Sequence, residues 1–558
     1  MQKDMKNIFP QSSLFLISFF LLYSGQGIYS FSYDYSATTE CLANPPRLNR
    51  GGGMIVNPEF RQNMIKASSS GGSFERILQK VRFQKGKLYS FSAWIQISEE
   101  SETVAVVFRT ARGDLMRGGD VMAKHGCWSL LKGGLIAPVS GLVDILFECK
   151  NREVGIWYEN VSLQEFTMKQ WKSHQEKSID KVRKTEVKLR AIYANNTAAR
   201  GAIISIKQIK SNFPFGCGMN HYILTSKDYQ NWFASRFKFT TFTNEMKWYS
   251  TENIPGKENY TVPDSMLGFA KNNGIKVRGH NILWDNPDQQ PLWVKNLDAN
   301  GLKAAAFRRV DSVTRRYAGQ VIGWDVMNED LHYHFFESKF GENASAEVYA
   351  RAYQIDPNTR MFMNEFNTIE YSEDKAANPS NYVKKLNEIL SYPSNKGMLA
   401  GIGVQGHFGY GKPNLVYMRS ALDILGATKL PVWITELDMD IGPNQAEYLE
   451  QILREGYGHP AVEGIIMFAG PKEAGFNRTI LADENFKKTA AGIVVDKLIS
   501  EWKIGEMEVV TDSNGFAQVS LFHGDYEFTV KNPETKNTFI YKAIRKSLQQ
   551  TITFNISH

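Results

Sequence analysis

Glu329 closes the apolar run Trp324-Asp-Val-Met-Asn-Glu329, and Glu436 sits near the end of a second run, Pro431-Val-Trp-Ile-Thr-Glu-Leu-Asp438. Two carboxylates held across a cleft suit glycoside hydrolysis. One protonates the leaving oxygen, and the other stabilises or attacks the anomeric carbon. A separation of about 5–5.5 Å gives retention of configuration, and about 6.5–9.5 Å gives inversion. A lone glutamate at a strand end is usually a surface or ion-paired residue. Asn328 beside Glu329 weakens that reading, because two polar residues close an otherwise buried run. Polar and aromatic groups recur at the ends of neighbouring runs: Asn244 with Lys247, His280 with Trp284, and Gln405 with His407. A single histidine is more often a satisfied core residue, but His280 and His407 fall at the same rim. Trp284 fits packing equally well. The histidines are spread along the chain and no HExxH segment occurs, so neither a metal nor a cofactor is expected.

Positioning these groups requires a frame that brings many strand ends together. Between about 200 and 505 the chain carries eight short apolar runs ending in polar residues. They begin at Phe213, Phe237, Ile275, Val321, Arg360, Gly401, Pro431 and Gly464. Helix-like segments lie between many of them, such as 301–316 and 378–390. That rhythm predicts a (β/α)8 TIM barrel, whose active groups lie at the C-terminal ends of its strands. Strands four and seven then face each other across the mouth.

The flanks read differently. The 558 residues suggest three or four domains, at about 150 residues each with a larger allowance for a barrel. Lys3 and Lys6 precede an apolar stretch at 14–23 and then small, turn-prone residues, the pattern of a signal peptide over 1–30. The stretch is shorter than the ~20 residues of a membrane span, so a secreted chain with no membrane partner is expected. Residues 31–165 alternate in short strands separated by glycine-rich turns and read as a β-sandwich. Residues 166–199 are polar and of mixed charge, and read as a helical or extended connector. Residues 506–558 return to alternation around Asp512-Ser-Asn-Gly515, a small C-terminal β extension.

Four cysteines, Cys41, Cys127, Cys149 and Cys217, allow three complete pairings that sequence does not separate. Glycan acceptor sequons begin at Asn160, Asn195, Asn259, Asn343, Asn477 and Asn555. Net charge is +7 without an arginine-rich arm, zinc-finger spacing or RNA-recognition signature, which argues against a nucleic-acid partner. A monomer is expected.

These motifs, in this order, resemble glycoside hydrolase family 10, the retaining xylanases. The carrying segments are 324–329, 434–438, 278–284 and 404–407, and the resemblance spans about 200–505. It implies Glu329 as general acid/base and Glu436 as nucleophile. Asn328 would bond the 2-hydroxyl of the sugar under attack, and His407 would hold Glu436 ionised and oriented. His280, Gln405 and Trp284 would shape the cleavage subsite, while Asn244 and Lys247 would bind sugar hydroxyls on the non-reducing side. Residues 40–165 resemble a family 22 carbohydrate-binding module through 56–60, 89–94 and 126–129, with Trp94, Trp157, Tyr158 and Glu159 as candidate sugar contacts or core residues. The arrangement looks like a plant cell-wall xylanase acting on xylan or xylo-oligosaccharides. Three departures stand out: Thr243 where many members have Glu, Phe468 where a Trp is usual, and no cysteine pair at 475–480. Hydrolysis, transfer to a second xylan chain, and xylan binding without cleavage are the alternatives these residues leave open.

Overall fold

The computed structural model describes residues 33–45, 54–55, 63–65, 77–151, 153–532, 535–544 and 550–556. The segment read as a signal peptide and the motif at 56–60 lie outside the described residues.

The apolar runs between 213 and 470 become eight parallel strands: β1 (Phe215–Met219), β2 (Phe239–Phe242), β3 (Lys276–Trp284), β4 (Gly323–Asn328), β5 (Arg360–Glu365), β6 (Ala400–Val404), β7 (Val432–Met439) and β8 (Val462–Met467). Each pairs with its neighbour, and β8 closes on β1 through Phe215↔Ile465, Gly216↔Ile466 and Cys217↔Met467. The ring has no free edge, so every strand needs cover on both faces. That is why β4, β6 and β7 are buried along their whole length.

Cover comes from helices after each strand: α1 (Lys227–Ala234), α2 (Thr261–Asn272), α3 (Ala299–Tyr317), α4 (Ala344–Ile355), α5 (Pro379–Ser391), α6 (Leu415–Gly426), α7 (Gln445–Gly458) and α8 (Ala490–Glu501). The sequence places their starts. Ser226, Asp298, Asn378, Asn414 and Thr489 each accept a backbone N–H of the first turn. The eight-stranded barrel expected from sequence is therefore present. Buried Arg309 on α3 donates to the carbonyls of Met246, Asn281 and Ile282, which ties the loop carrying Lys247 to β3.

Before the barrel, two antiparallel sheets enclose an apolar cluster that includes Phe83, Phe91, Ile95, Val106, Phe108, Leu131, Ile145 and Phe147. Leu88–Ile97 lies between Ser129–Ile136 and Ile156–Phe166 in one sheet. Ser101–Thr110 lies between Leu115–Lys124 and Gly141–Glu148 in the other. A disulfide joins Cys41 to Cys127. The thiol of buried Cys217, on β1, instead donates to the Ala469 carbonyl at 2.8 Å.

The helix Met168–Arg183 follows, started by a capping box between Thr167 and Gln170. Its Trp171 indole donates 2.8 Å to Glu455 of α7. Residues read as connector, and 203–211, read as the start of the barrel segment, then meet the tail. Lys184–Tyr193 pairs antiparallel with Phe516–Phe522 and parallel with Gln550–Ile556. Ile203–Ser211 lies between Glu506–Val510 and Gly524–Asn532. Val187, Leu189, Ile204, Ile206, Leu521, Phe528 and Phe554 share the core between these sheets.

Candidate active site

The C-terminal ends of β2 to β7 gather the polar residues singled out above. Glu329 follows the last residue of β4 and adopts a left-handed backbone with φ +62°. A non-glycine residue pays roughly 1–3 kcal/mol for this conformation, which persists where the surroundings enforce it. Here the Glu329 N–H donates to the Asn364 carbonyl at 2.9 Å, and the Asp285 N–H donates to the Asn328 carbonyl at 2.9 Å. The turn aims the carboxyl group inward. Its Oε2 accepts from the Trp284 indole at 2.6 Å, and its Oε1 accepts from the Gln405 amide at 3.2 Å.

Glu436 on β7 has a different shell. Its Oε1 accepts from the Asn364 amide at 2.7 Å and lies 3.9 Å from His280 Nε2. Its Oε2 lies 3.7 Å from His407 Nε2. His407 is itself oriented by Asp438, 2.9 Å from Nδ1, and His280 by Asp325, also 2.9 Å from Nδ1. Both glutamates are buried, at 7% and 5% exposure, so their charges are governed by partners more than by solvent.

Those partners drive the two carboxyls apart. Burial raises the proton affinity of Glu329, and the nearby Glu436 charge adds to it against the Trp284 and Gln405 hydrogen bonds. Burial alone would raise Glu436 too, but His280, His407 and Lys247 outweigh it and bring its pKa down to about 2. His407 pays desolvation yet rises to about 10, because Asp438 and Glu436 both favour its cation.

The remaining predicted residues sit on the same rim. Lys247 Nζ donates 3.2 Å to Asn244 Oδ1 and lies 4.4 Å from the Trp284 ring centre, where burial lowers its pKa. Asn328 Oδ1 accepts from Asn364 at 2.8 Å. The structure thus brings all nine residues read from sequence together at one rim of the barrel. Phe468 follows β8, with its ring edge-on to His280 and His407 at 6.1 and 6.3 Å between centres. Thr243 and Phe468 both approach Gly218 on β1.

Sequence reasoning missed Asn364. Its amide bridges Asn328 and Glu436, and its oxygen accepts from Thr435 at 2.6 Å. A signal was available: Met361-Phe-Met-Asn-Glu365 closes an apolar run with Asn-Glu, as 326–329 does. Glu365 and His332 were missed as well. They lie under the same rim, 2.7 Å apart. Among the described residues, no group of three or more His, Cys, Asp or Glu side chains is placed to hold a metal.

In the module before the barrel, Tyr158 belongs to the inter-sheet core, and Trp94 is buried with Trp128 and Leu130. Trp157 packs on that second cluster and stays half-buried.

Residues 205–489 match the model of glycosyl hydrolase family 10. The Arabidopsis thaliana protein endo-1,4-beta-xylanase 5-like is 47% identical over 544 residues, 94% of this chain and 95% of that one. Endo-1,4-beta-xylanase 5 of the same plant is 47% identical over 549 residues, 96% of each. Among solved structures, xylanase 10B of Thermotoga petrophila in complex with xylobiose is 23% identical, covers 52% of this chain and 94% of its own, and has a TM-score of 0.46.

Proposed function

The chain belongs to glycosyl hydrolase family 10, and from that membership we infer that it cleaves β-1,4-xylosidic bonds within xylan by double displacement. Glu436, ionised, attacks the anomeric carbon while Glu329 gives its proton to the departing oxygen. A glycosyl–Glu436 ester results, and Glu329 is left as a carboxylate. It then takes a proton from water, whose oxygen attacks the anomeric carbon and releases Glu436. Both groups return to their starting states. The observation that carries this assignment is the different shell of each carboxyl, Trp284 and Gln405 on Glu329 against Asn364, His280 and His407 on Glu436, which pushes the two proton affinities in opposite directions.

Asn364 and His407 hold the nucleophile's two oxygens, and Trp284 and Gln405 hold the acid's. Asn328, fixed by Asn364, presents its amide nitrogen to the sugar's 2-hydroxyl. Asn244 and Lys247 bind further hydroxyls on the non-reducing side.

The test is mass spectrometry of linear xylo-oligosaccharides incubated with the wild type, Glu329→Ala and Glu436→Ala. Each substitution is expected to reduce cleavage by ~100-fold or more. Unchanged turnover in either variant would overturn the assignment. NMR of the first product should show the β anomer, and an initial α anomer would instead mean a single displacement.

The two antiparallel sheets before the barrel we read as a sandwich-type carbohydrate-binding module of the family 22 kind. The half-buried Trp157 beside Trp94 and Trp128 supports it as an aromatic platform. Trp157→Ala is expected to weaken retention on insoluble xylan, and equal retention would remove this residue from substrate binding. Secretion to the cell wall fits the Cys41–Cys127 disulfide, which persists in oxidising compartments. The sequons fit the same route. Among the described residues, no helix is long and apolar enough to cross a membrane.

A further inference from the structure

The β5–α5 loop runs between the catalytic rim and the N-terminal sheets, and residues 372–375 touch both. Toward the sheets, the Ser372 hydroxyl donates 2.6 Å to the Arg117 carbonyl. The Arg117 N–H donates 2.7 Å to the Glu373 carboxylate. Lys375 reaches Glu148 at 2.8 Å. The buried Arg117 guanidinium bonds Asp120 at 2.9 Å and lies 3.5 Å from Glu148.

Toward the rim, Asp374 Oδ2 lies 2.9 Å from His332 Nε2 and accepts from Asn367 at 2.7 Å. The other imidazole nitrogen, Nδ1, lies 2.7 Å from Glu365 Oε1. The ring is stacked on Phe366 at 3.8 Å. A histidine between two carboxylates donates from both nitrogens only as a cation. The groups facing it are Glu365 from β5, Asp374 from the loop and Tyr333 next along the chain, with Glu329 acting on it only through Glu365. Burial disfavours the charge, but Glu365 and Asp374 outweigh it and raise His332 to about 9. Glu365 is fully buried, and its other oxygen accepts the Leu331 N–H at 2.8 Å, two residues beyond Glu329. The charges of Glu365 and Glu329 repel each other.

We propose that the N-terminal module acts as a strut for catalysis: by gripping Ser372 and Glu373 along the strand Leu115–Lys124, it aims Asp374 at His332 and keeps an imidazolium beside Glu365, beneath the proton donor Glu329. Ser372 and Glu373 are positioning residues, and neither reaches the catalytic pair. The module then does more than bring polysaccharide near the cleft. It completes a charge balance inside the barrel.

The link to catalysis rests on Glu329 as the acid, but the strut itself is measured on resting protein. The experiment is NMR titration of the full chain with isotope-labelled histidine, with the His332 signal assigned by loss in His332→Asn. In the double variant Ser372→Ala/Glu373→Ala, the His332 pKa is expected to fall by about one unit or more, the usual effect of losing an adjacent opposite charge. Asp374→Asn should fall at least as far. An unmoved titration in the double variant, with or without a shift in Asp374→Asn, would overturn the strut. The alkaline limb of kcat/KM on an aryl xylobioside should move in the double variant: upward where His332 has lost its proton before Glu329 does, downward where His332 keeps its charge while the Asp374 carboxylate has swung away. A shifted His332 with an unmoved limb would overturn the link to the acid. Failure of the acid assignment itself is read separately, from Glu329→Ala.

Discussion

At the scale of single residues, the site separates two chemically identical side chains by what surrounds them. In the proposed double displacement Glu436 must be charged, and its pKa of about 2 leaves it ionised at neutral and mildly acidic pH. Glu329 must carry a proton, and its raised pKa sets the pH above which that proton is lost. The alkaline limb of kcat/KM therefore belongs to Glu329, and the acid limb to Glu436. Trp284 donates a hydrogen bond that favours the ionised form of Glu329. Trp284→Phe should then shift the alkaline limb upward, measured on an aryl xylobioside from pH 3 to 10, and a downward shift would contradict the hydrogen bond's role. Asn364→Asp tests the other side. It sets a second carboxylate 2.7 Å from Glu436 in place of an amide donor, and kcat should fall by ~100-fold or more as the nucleophile's proton affinity climbs. Wild-type kcat would show that Asn364 does not hold the nucleophile. The nine rim residues were legible in the sequence because each closes or follows an apolar run. His332 was not, since its meaning comes from Glu365 and Asp374, and the latter sits in a loop with no periodic signal.

At the scale of elements, the eight barrel strands were readable because a strand buried on both faces is written as a short, nearly continuous apolar run. Val-Trp-Ile at the start of β7 and Met-Phe-Met at the centre of β5 show the pattern. The strand Ile203–Ser211 shows where local pattern stops. Its alternation marks a strand, but its partners Glu506–Val510 and Gly524–Asn532 lie at the far end of the chain. No local signal encodes such a register. The helix Met168–Arg183 was foreshadowed by its polar, glycine-free stretch, and the capping box supplies its start. Thr167→Ala removes the side-chain acceptor for the Gln170 N–H. It should cost about 1 kcal/mol, read as a lower urea midpoint by tryptophan fluorescence. An unchanged midpoint would mean that docking of Trp171 alone holds the helix.

At the scale of the molecule, module, helix and barrel are joined by charges taken out of water. Asp423 of α6 accepts from Lys132 of the module at 2.7 Å and from the Tyr33 hydroxyl at 2.7 Å, with His459 Nε2 at 3.0 Å. Burial would raise the Asp423 pKa, but Lys132 and His459 bring it down to about 2. A depressed carboxylate adds stability above its unfolded pKa of about 4, and that stability is lost as pH falls toward 2. Lys132→Met removes the cation that hydrogen-bonds Asp423, leaving only the more distant Arg419 charge, and should destabilise the docked state by about 3–5 kcal/mol at pH 7. The difference from the wild type should shrink near pH 2.5, where Asp423 begins to protonate in the wild type after it has already done so in the variant. Denaturant unfolding and limited proteolysis at the two pH values check this. Equal stability at pH 7 would show that apolar packing alone docks the module.

The sheets formed by 184–211 with 506–556 also order events in time. Lys184–Tyr193 emerges from the ribosome long before Gln550–Ile556, the segment that pairs beside it. At about 5–20 residues per second, the earlier strands wait on the order of tens of seconds with open edges, while the barrel between them is made. A message truncated anywhere in the barrel would release a nascent chain with those edges exposed, a ready template for aggregation. Only synthesis through Ile556 supplies the strand that covers that edge, so the barrel is made before the sheet beside it can close.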